Sequence, residues 1–220
     1  MEIKKHSLAI LVDPEKAISP SLRERVGRVR MQGLDVDYVL LGGSTGALTD
    51  ETIFDDAAAL GLPVILFPGN AAQLSARADG MLLPVVISGR NAEMLIGQHV
   101  KAAREIRALG VPVLPMGYML LDGGKLSSAV RMSETTPISQ LDRDLIVRTA
   151  MAGEILGLKA IYLEAGSGAL QPVGAEVIRA VRETIALPLI VGGGLRSREA
   201  IEAAWANGAD MVVIGNALEG

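Results

Sequence analysis

The 220-residue sequence contains no cysteine. Disulfide bonds, a thiolate nucleophile and zinc sites built on cysteine ligands are therefore excluded. Aromatic residues make up only 3% of the chain, and 21 lysines and arginines face 25 aspartates and glutamates, which gives a net charge of −4. A chain with neither a basic excess nor many aromatic rings for base stacking is a poor candidate for binding nucleic acid.

The sequence also lacks a long apolar run that would span a membrane. Its first residues, Met1–His6, lead directly into a strand-like segment and have no apolar core typical of a signal peptide. Half of the residues are apolar, and a chain of this length buries roughly 70% of its unfolded surface, so a large core is available. We therefore expect a cytoplasmic globular protein with a single domain over residues 1–220.

Eight short runs are almost continuously apolar, which is typical of strands covered on both faces. They lie at residues 8–12, 38–41, 64–67, 81–87, 111–114, 160–163, 187–191 and 211–214. Segments of helical periodicity lie between several of them, at 21–33, 91–109, 142–156 and 173–185. Strands that alternate with helices in this number predict an α/β fold, a (β/α)₈ barrel.

Two departures from a regular barrel are expected. The segment 68–79 is too short for a full third helix, so a short segment should replace that helix. The chain as given ends at Gly220, soon after the eighth run, so the final helix is expected to be absent from it.

Candidate site residues follow the strands, because the active site of such a barrel lies at their carboxyl ends. Gly193 and Gly194 follow the seventh run, and Gly215 and Asn216 follow the eighth. Glycine-rich loops at these two places are typical of a phosphate site, since their amides can approach phosphate oxygens closely. The sequence therefore predicts phosphate binding here, with plain turn residues as the alternative.

Carboxylates follow two other runs. Asp13 follows the first run, and the hydroxyl residue Ser44 follows the second. Together they suit Mg²⁺ shared with substrate phosphates, although Asp13 also fits a base or a turn cap. Glu164 follows the sixth run, with Tyr162 two positions earlier and so on the same side of the strand. That pair suits a ligand with hydroxyl groups, and a buried structural pair is the alternative. His99 is predicted to be a packing residue of its helix.

Seven motifs, in order, resemble the geranylgeranylglyceryl phosphate synthase family, which includes the heptaprenylglyceryl phosphate synthases. They are residues 11–16 (LVDPEK), 42–46 (GGSTG), 67–70 (FPGN), 87–91 (ISGRN), 162–168 (YLEAGSG), 191–197 (VGGGLRS) and 215–219 (GNALE). Each motif is weak alone, but together they cover nearly the whole chain. The apolar Val12 before Asp13 resembles the second branch of that family, since the other branch has lysine there.

The resemblance implies a modified barrel and Mg²⁺-dependent transfer of a polyprenyl group, geranylgeranyl by preference, from its diphosphate to the C3 hydroxyl of sn-glycerol 1-phosphate. The product is an ether lipid precursor. The resemblance places Mg²⁺ on Asp13 and Ser44. Glu164 and Tyr162 are predicted to be the catalytic residues, since the Glu164 carboxylate could orient the C3 hydroxyl and take its proton. The positions that match its glycerol phosphate site are Tyr162, Leu163, Glu164, Ala165, Gly166, Ser167, Gly168, Gly193, Gly194, Gly215 and Asn216.

The resemblance also implies a homo-oligomer, at least a dimer, and a shortened third segment that leaves room for the prenyl chain. The low aromatic content predicts an aliphatic groove for that chain. A lipid substrate would also bring the protein into transient contact with a membrane surface.

Other functions fit part of the same residues. A sugar-phosphate isomerase or cyclase would use the glycine loops, with Asp13 as an acid or base, but it does not account for the motif at 162–168. A nearer variant would use another phosphorylated acceptor, such as 3-phosphoglycerate. A non-catalytic barrel that binds phosphates is a third class, and Mg²⁺-dependent release of diphosphate separates it from the enzymes.

Overall fold

The computed structural model describes residues 3–14, 21–43 and 46–215. Within these ranges, eight parallel strands pair in chain order and close into a barrel, with β8 hydrogen-bonded to β1. The strands are β1 Ser7–Val12, β2 Tyr38–Leu41, β3 Val64–Leu66, β4 Gly80–Val86, β5 Val113–Leu120, β6 Ala160–Glu164, β7 Leu189–Gly192 and β8 Met211–Ile214. The predicted (β/α)₈ barrel is confirmed.

Seven α-helices surround the barrel in the part of the chain that the structure describes. They are α1 Leu22–Met31, α2 Thr52–Leu60, α3 Gln98–Leu109, α4 Ser128–Ser133, α5 Arg143–Ile155, α6 Ala175–Arg182 and α7 Arg198–Ala206. A π-helical turn, Glu93–Gly97, leads directly into α3. The short helix α4 lies between β5 and α5, where the sequence pattern gave no indication of it. None of the helices in the described ranges is long and apolar enough to cross a membrane.

A single 3₁₀ turn, Ala71–Gln73, lies between β3 and β4, where a regular barrel has its third helix. The short segment at 68–79 predicted this replacement. Asn70 caps this turn, because its side-chain oxygen accepts the N–H of Ala72 at 2.8 Å. The expected absence of the final helix concerns residues 216–220, which lie outside the described residues.

Strand β5 is longer than the sequence predicted, since it continues from Val113 through Leu120. The apolar pattern placed its end at residue 114 because Pro115 and Gly117 are typical of turns. Here Gly117 sits where a side chain has no room: an added Cβ would lie 2.6 Å from Cδ1 of Ile87 and 2.8 Å from Cδ1 of Ile161. The glycine therefore serves packing between the strands and their surroundings.

Alternation along each strand separates two apolar layers. Strand β6 shows the pattern: Tyr162 belongs to the barrel interior, with Leu40, Leu82 and Met116. Leu163 belongs instead to the layer between the strands and the helices. Successive side chains along a strand therefore alternate between the barrel interior and the layer beneath the helices. Only the side chains of the interior set face the barrel mouth.

Three aspartates fix strand register at the amino-terminal end of the barrel. Asp37, Asp79 and Asp210 stand directly before β2, β4 and β8, and each accepts an N–H near the start of a neighbouring strand. These bonds go to the amides of Leu8 (3.0 Å), Val64 (2.8 Å) and Leu189 (2.8 Å). The amide of each aspartate also donates to the carbonyl oxygen of the same partner. Such two-way contacts hold the strands at one end of the barrel and so determine where their carboxyl ends lie at the other.

Candidate functional site

A cavity of about 700 Å³ opens at the carboxyl ends of the strands. This volume is in the usual range for small-molecule sites. One side of the cavity is formed by the glycine loops that the sequence singled out, and the other by apolar side chains of β4, the π-helical turn and α3. The predicted residues that line it are Tyr162, Glu164, Gly166, Ser167, Gly168, Gly193, Gly194 and Gly215. The cavity therefore joins a polar end to an apolar end.

Glu164 lies in the polar end, at the end of β6, and is only 7% exposed. Its Oε1 atom accepts the backbone N–H of Gly166 at 2.6 Å. Burial raises the pKa of the Glu164 carboxyl group, and the bond from Gly166 opposes that rise in part. A carboxyl group with a raised pKa at a cavity wall is suited to accepting a proton from a bound hydroxyl.

Tyr162 lies two residues earlier and is fully buried inside the barrel. Its ring stacks on Phe67, with centroids 5.6 Å apart, and meets Tyr118 edge-on at 5.2 Å. Burial raises the pKa of the Tyr162 hydroxyl, and the nearby charge of Glu164 raises it further. The Tyr162 hydroxyl and the Glu164 carboxyl group are nevertheless not placed to form a hydrogen bond with each other. The hydroxyl has no hydrogen-bond partner among the described residues. Such a group marks a place where a polar ligand atom can bind.

The neighbouring strand β7 provides the space for both side chains. An added Cβ at Gly192 would collide with the hydroxyl of Tyr162, and one at Gly193 would lie 2.5 Å from Oε1 of Glu164. Gly193 also has a φ of +87°, which side-chain-bearing residues rarely adopt. These glycines are therefore required by the Tyr162–Glu164 pair as well as by the loop that they begin.

Two residues of the 162–168 motif face away from the cavity. The side chains of Leu163 and Ala165 pack in the outer layer, toward the helices. The amide of Ala165 is also taken, since it donates to the carbonyl oxygen of Gly192 at 3.0 Å. Asn216, predicted for the phosphate site, lies outside the described residues.

Asp13 directly follows β1, and its carboxylate packs against Gly43, where an added Cβ would be 2.7 Å from Oδ1. Ser44, the second predicted metal ligand, lies outside the described residues. Within the described ranges, no three or more His, Cys, Asp or Glu residues come together as a metal site. A carboxylate at a strand end nevertheless fits Mg²⁺, which takes one or two carboxylates together with substrate phosphates and water.

Four residues of the cavity wall were not predicted as site residues. Arg196 lines the cavity, and its guanidinium group donates to the carbonyl oxygen of Ala169 at 2.9 Å. Phe67 and Tyr118 complete the aromatic cluster with Tyr162. His99 also lines the cavity, and its Nε2 atom makes the hydrogen bond of a satisfied packing residue, to the carbonyl oxygen of Pro84 at 3.0 Å. The signal for Phe67 was present, since it closes the third apolar run where strands meet the site.

The sequence profile of the PcrB family matches residues 1–220. The chain belongs to the PcrB family. Among curated relatives, the geranylgeranylglyceryl phosphate synthase of Zunongwangia profunda is 44% identical, over 99% of this chain and 93% of the relative. The enzyme of the same name from Thermococcus gammatolerans is 35% identical, over 99% of this chain and 86% of the relative. The resemblance found in the motifs of this PcrB-family sequence is confirmed.

Solved structures agree with the sequence relatives. The wild-type geranylgeranylglyceryl phosphate synthase of Thermoplasma volcanium superimposes on this PcrB-family chain with a TM-score of 0.84 at 31% identity, covering 99% of this chain and 87% of that one. The enzyme of Thermoplasma acidophilum, solved in complex with sn-glycerol 1-phosphate, gives 0.81 at 32% identity, with coverage of 96% and 85%. An N-acetylmannosamine-6-phosphate 2-epimerase from Clostridium perfringens, at 0.56 and 14% identity, shares the fold alone.

Replacing Glu164 with glutamine is expected to stabilise the protein increasingly as the pH rises. Because the folded-state pKa of Glu164 is raised, its neutral form favours folding below the ordinary value near 4.5, and this contribution is lost as the pH rises through the folded pKa. Glutamine stays neutral and can still accept the N–H of Gly166. The Tm of the variant should therefore exceed that of the wild type only slightly at about pH 4 and by more at about pH 8.

The control is Glu105→Gln on the exposed face of α3. It should leave the pH dependence of Tm as in the wild type. A Glu164→Gln difference that is constant, or that shrinks as the pH rises, would contradict a raised pKa.

Proposed function

We propose that this chain is a prenyltransferase that moves a polyprenyl group from its diphosphate to the C3 hydroxyl of sn-glycerol 1-phosphate. The observation that carries the proposal is one cavity whose polar end, at Tyr162 and Glu164, opens into an apolar end. A phosphorylated polyol and a long apolar chain can therefore meet at one place. Membership of the PcrB family and the names of the relatives support the same activity.

The polar end is suited to glycerol phosphate. Gly193, Gly194 and Gly215 bring backbone close to the cavity, where amides can bind a phosphate group. Arg196 adds a permanent positive charge beside them. The carboxyl group of Glu164 can bind the hydroxyl groups of the glycerol part. One of these hydroxyl groups can also be a hydrogen-bond partner for the hydroxyl of Tyr162, which has none among the described residues.

The apolar end is suited to the prenyl chain. It is lined by Leu74, Leu83, Ala102 and Ile106. Leu83 and Ile106 pack with the layer outside the barrel, so the cavity passes from the barrel mouth to the outer side of β4. The 3₁₀ turn Ala71–Gln73 leaves that space open where a third helix would stand. The far part of the groove is aliphatic, as low aromatic content predicted, whereas aromatic rings surround its beginning.

The reaction would break the allylic C–O bond of the donor as the C3 hydroxyl oxygen attacks C1 of the prenyl group. The electron pair of the broken bond leaves with the diphosphate, and Glu164 takes the hydroxyl proton. The rings of Phe67, Tyr118 and Tyr162 form one cluster in the wall of the cavity. Their faces can stabilise the positive charge that develops on C1.

Asp13 would hold Mg²⁺ at the donor end, with Ser44 as the second predicted ligand. The ion, when bound, neutralises charge on the departing diphosphate. The other partners remain predictions from the sequence: geranylgeranyl diphosphate as donor, an assembly of at least two copies, and brief contact with a membrane surface.

The activity is tested by diphosphate release from geranylgeranyl diphosphate, sn-glycerol 1-phosphate and Mg²⁺, with each omitted in turn. We expect release only when all three are present. Release without the acceptor would indicate a hydrolase. Saturable binding of glycerol phosphate without release would indicate another donor or a non-catalytic barrel, and neither binding nor release would favour the isomerase alternative.

Glu164→Gln is expected to lower kcat by about 100-fold or more, the usual contribution of a general base. Binding of sn-glycerol 1-phosphate, measured by calorimetry, should change far less because glutamine keeps the shape and one acceptor oxygen. Since the same change is expected to stabilise the fold, loss of turnover would not reflect unfolding. An unchanged kcat in Glu164→Gln would remove the proposed role.

A bulky residue at Ala102 should shorten the donor that the enzyme accepts. Ala102 is 5% exposed and lines the apolar end, so Ala102→Phe should lower kcat/KM for geranylgeranyl diphosphate by about 10-fold relative to geranyl diphosphate, as expected for overpacking. The adjacent Ala103 is exposed on the same helix, which makes Ala103→Phe the matched control. Equal loss with both donors would show that the groove does not pass Ala102.

A further inference from the structure

Gln73 is a buried polar residue that the sequence patterns did not single out. It is 1% exposed and closes the 3₁₀ turn between β3 and β4. Its Oε1 atom accepts the N–H of Gly69 at 2.8 Å and the N–H of Gly43 at 3.3 Å. Its Nε2 atom donates to the carbonyl oxygen of Gly46 at 3.4 Å. One side-chain amide thus bridges the segments that follow β2 and β3.

The segment after β2 is the one against which Asp13 rests. Gly43 packs so closely on the Asp13 carboxylate that no side chain would fit between them. An added Cβ at Gly42 would likewise collide with the carbonyl oxygen of Phe67. A displacement of these glycines would therefore move both the surroundings of Asp13 and the wall of the cavity.

Asn70 supports the same segment from the cavity side. Its Nδ2 atom donates to the carbonyl oxygen of Gly46 at 3.0 Å, while its side-chain oxygen caps the 3₁₀ turn that carries Gln73. The carbonyl oxygen of Gly46 is therefore held by two side-chain amides. Loss of the Gln73 amide would leave the N–H groups of Gly43 and Gly69 without this acceptor, and such groups move to find another.

We propose that Gln73 is a positioning residue for the donor end of the site. It acts through Gly43 and Gly46, whose positions it sets relative to Asp13, and it does not itself touch the substrates. The proposal deepens the proposed prenyl transfer and rests on it. It implies an asymmetric effect: use of the diphosphate and of Mg²⁺ depends on Gln73, whereas glycerol phosphate, bound at β6 to β8, does not depend on it.

The test compares Gln73→Met with Gln140→Met. Gln140 also joins two loops, because its Oε1 atom accepts the N–H of Gly174 at 2.8 Å and its Nε2 atom donates to the carbonyl oxygens of Asp122 (2.8 Å) and Pro172 (3.2 Å). Both variants lose the same kind of bonds, so both should lower Tm. Only Gln73→Met should raise the KM for geranylgeranyl diphosphate and the Mg²⁺ concentration for half-maximal rate, by about 10-fold each, since 1.4 kcal/mol is tenfold.

The KM for sn-glycerol 1-phosphate should stay within about twofold in both variants, well below a tenfold effect of 1.4 kcal/mol. Equal changes for donor and acceptor, or a lowered Tm with unchanged kinetics, would reduce Gln73 to a structural role. If Gln73→Met does not fold, Gln73→Glu keeps both accepted bonds and loses only the bond donated to Gly46, so its loss for the donor should be smaller and selective in the same way. A Gln73→Glu variant with wild-type donor kinetics would overturn the proposal.

A binding measurement separates this proposal from the proposed function. Calorimetry with inorganic diphosphate and Mg²⁺ reports the donor end without any turnover. Weakened binding in Gln73→Met but not in Gln140→Met would support the positioning role even in a protein that does not release diphosphate from the prenyl donor. Equal binding in wild type and Gln73→Met would refute that role, whatever the activity.

Discussion

The polar end of the cavity depends on two positions at the carboxyl end of β7, the last residue of the strand and the one after it, that carry no side chain. Gly192 and Gly193 occupy the places where a Cβ would meet the polar atoms of Tyr162 and Glu164. The contact requires that β6 and β7 keep their register, in which Glu164 lies opposite Gly192. At the other end of this short strand, the carboxylate of Asp210 fixes the amide of Leu189. The bond at the amino-terminal end of the barrel thus contributes to site geometry at the carboxyl-terminal end.

The replacement of the helix between β3 and β4 by a 3₁₀ turn has two consequences. It opens the outer side of β4, where Leu83 and Ile106 bound an apolar groove. It also removes the packing that a full helix would give to the loops after β2 and β3. Side-chain amides of Asn70 and Gln73 supply hydrogen bonds to these loops instead. The segment that leaves space for the substrate therefore also carries the side chains that bond to Gly43, Gly46 and Gly69.

The sequence predicted those parts of the molecule that local pattern determines. Continuous apolar runs predicted all eight strands, and short spacing predicted the replaced helix, because both depend on residues near one another in the chain. Contacts between distant segments carried no local signal. Gly117 reads as a turn residue until Ile87 and Ile161 are seen to fill its space. Likewise, the cluster of Phe67, Tyr118 and Tyr162 joins the residue after β3 to β5 and β6, and the three rings are far apart in sequence.

Charge balance in the cavity connects the structure to the predicted metal dependence. The proposed substrates bring a phosphate and a diphosphate into a chain of net charge −4. Among the described residues that line the cavity, Arg196 is the one side chain with a permanent positive charge, while Glu164 is acidic. Backbone amides can stabilise one phosphate group through their dipoles. We propose that Mg²⁺ would supply positive charge for the second, more highly charged group, with the carboxylate of Asp13 at the strand end as the residue that would hold it. A magnesium requirement therefore remains a prediction, supported by the family resemblance and by the place of Asp13 directly after β1.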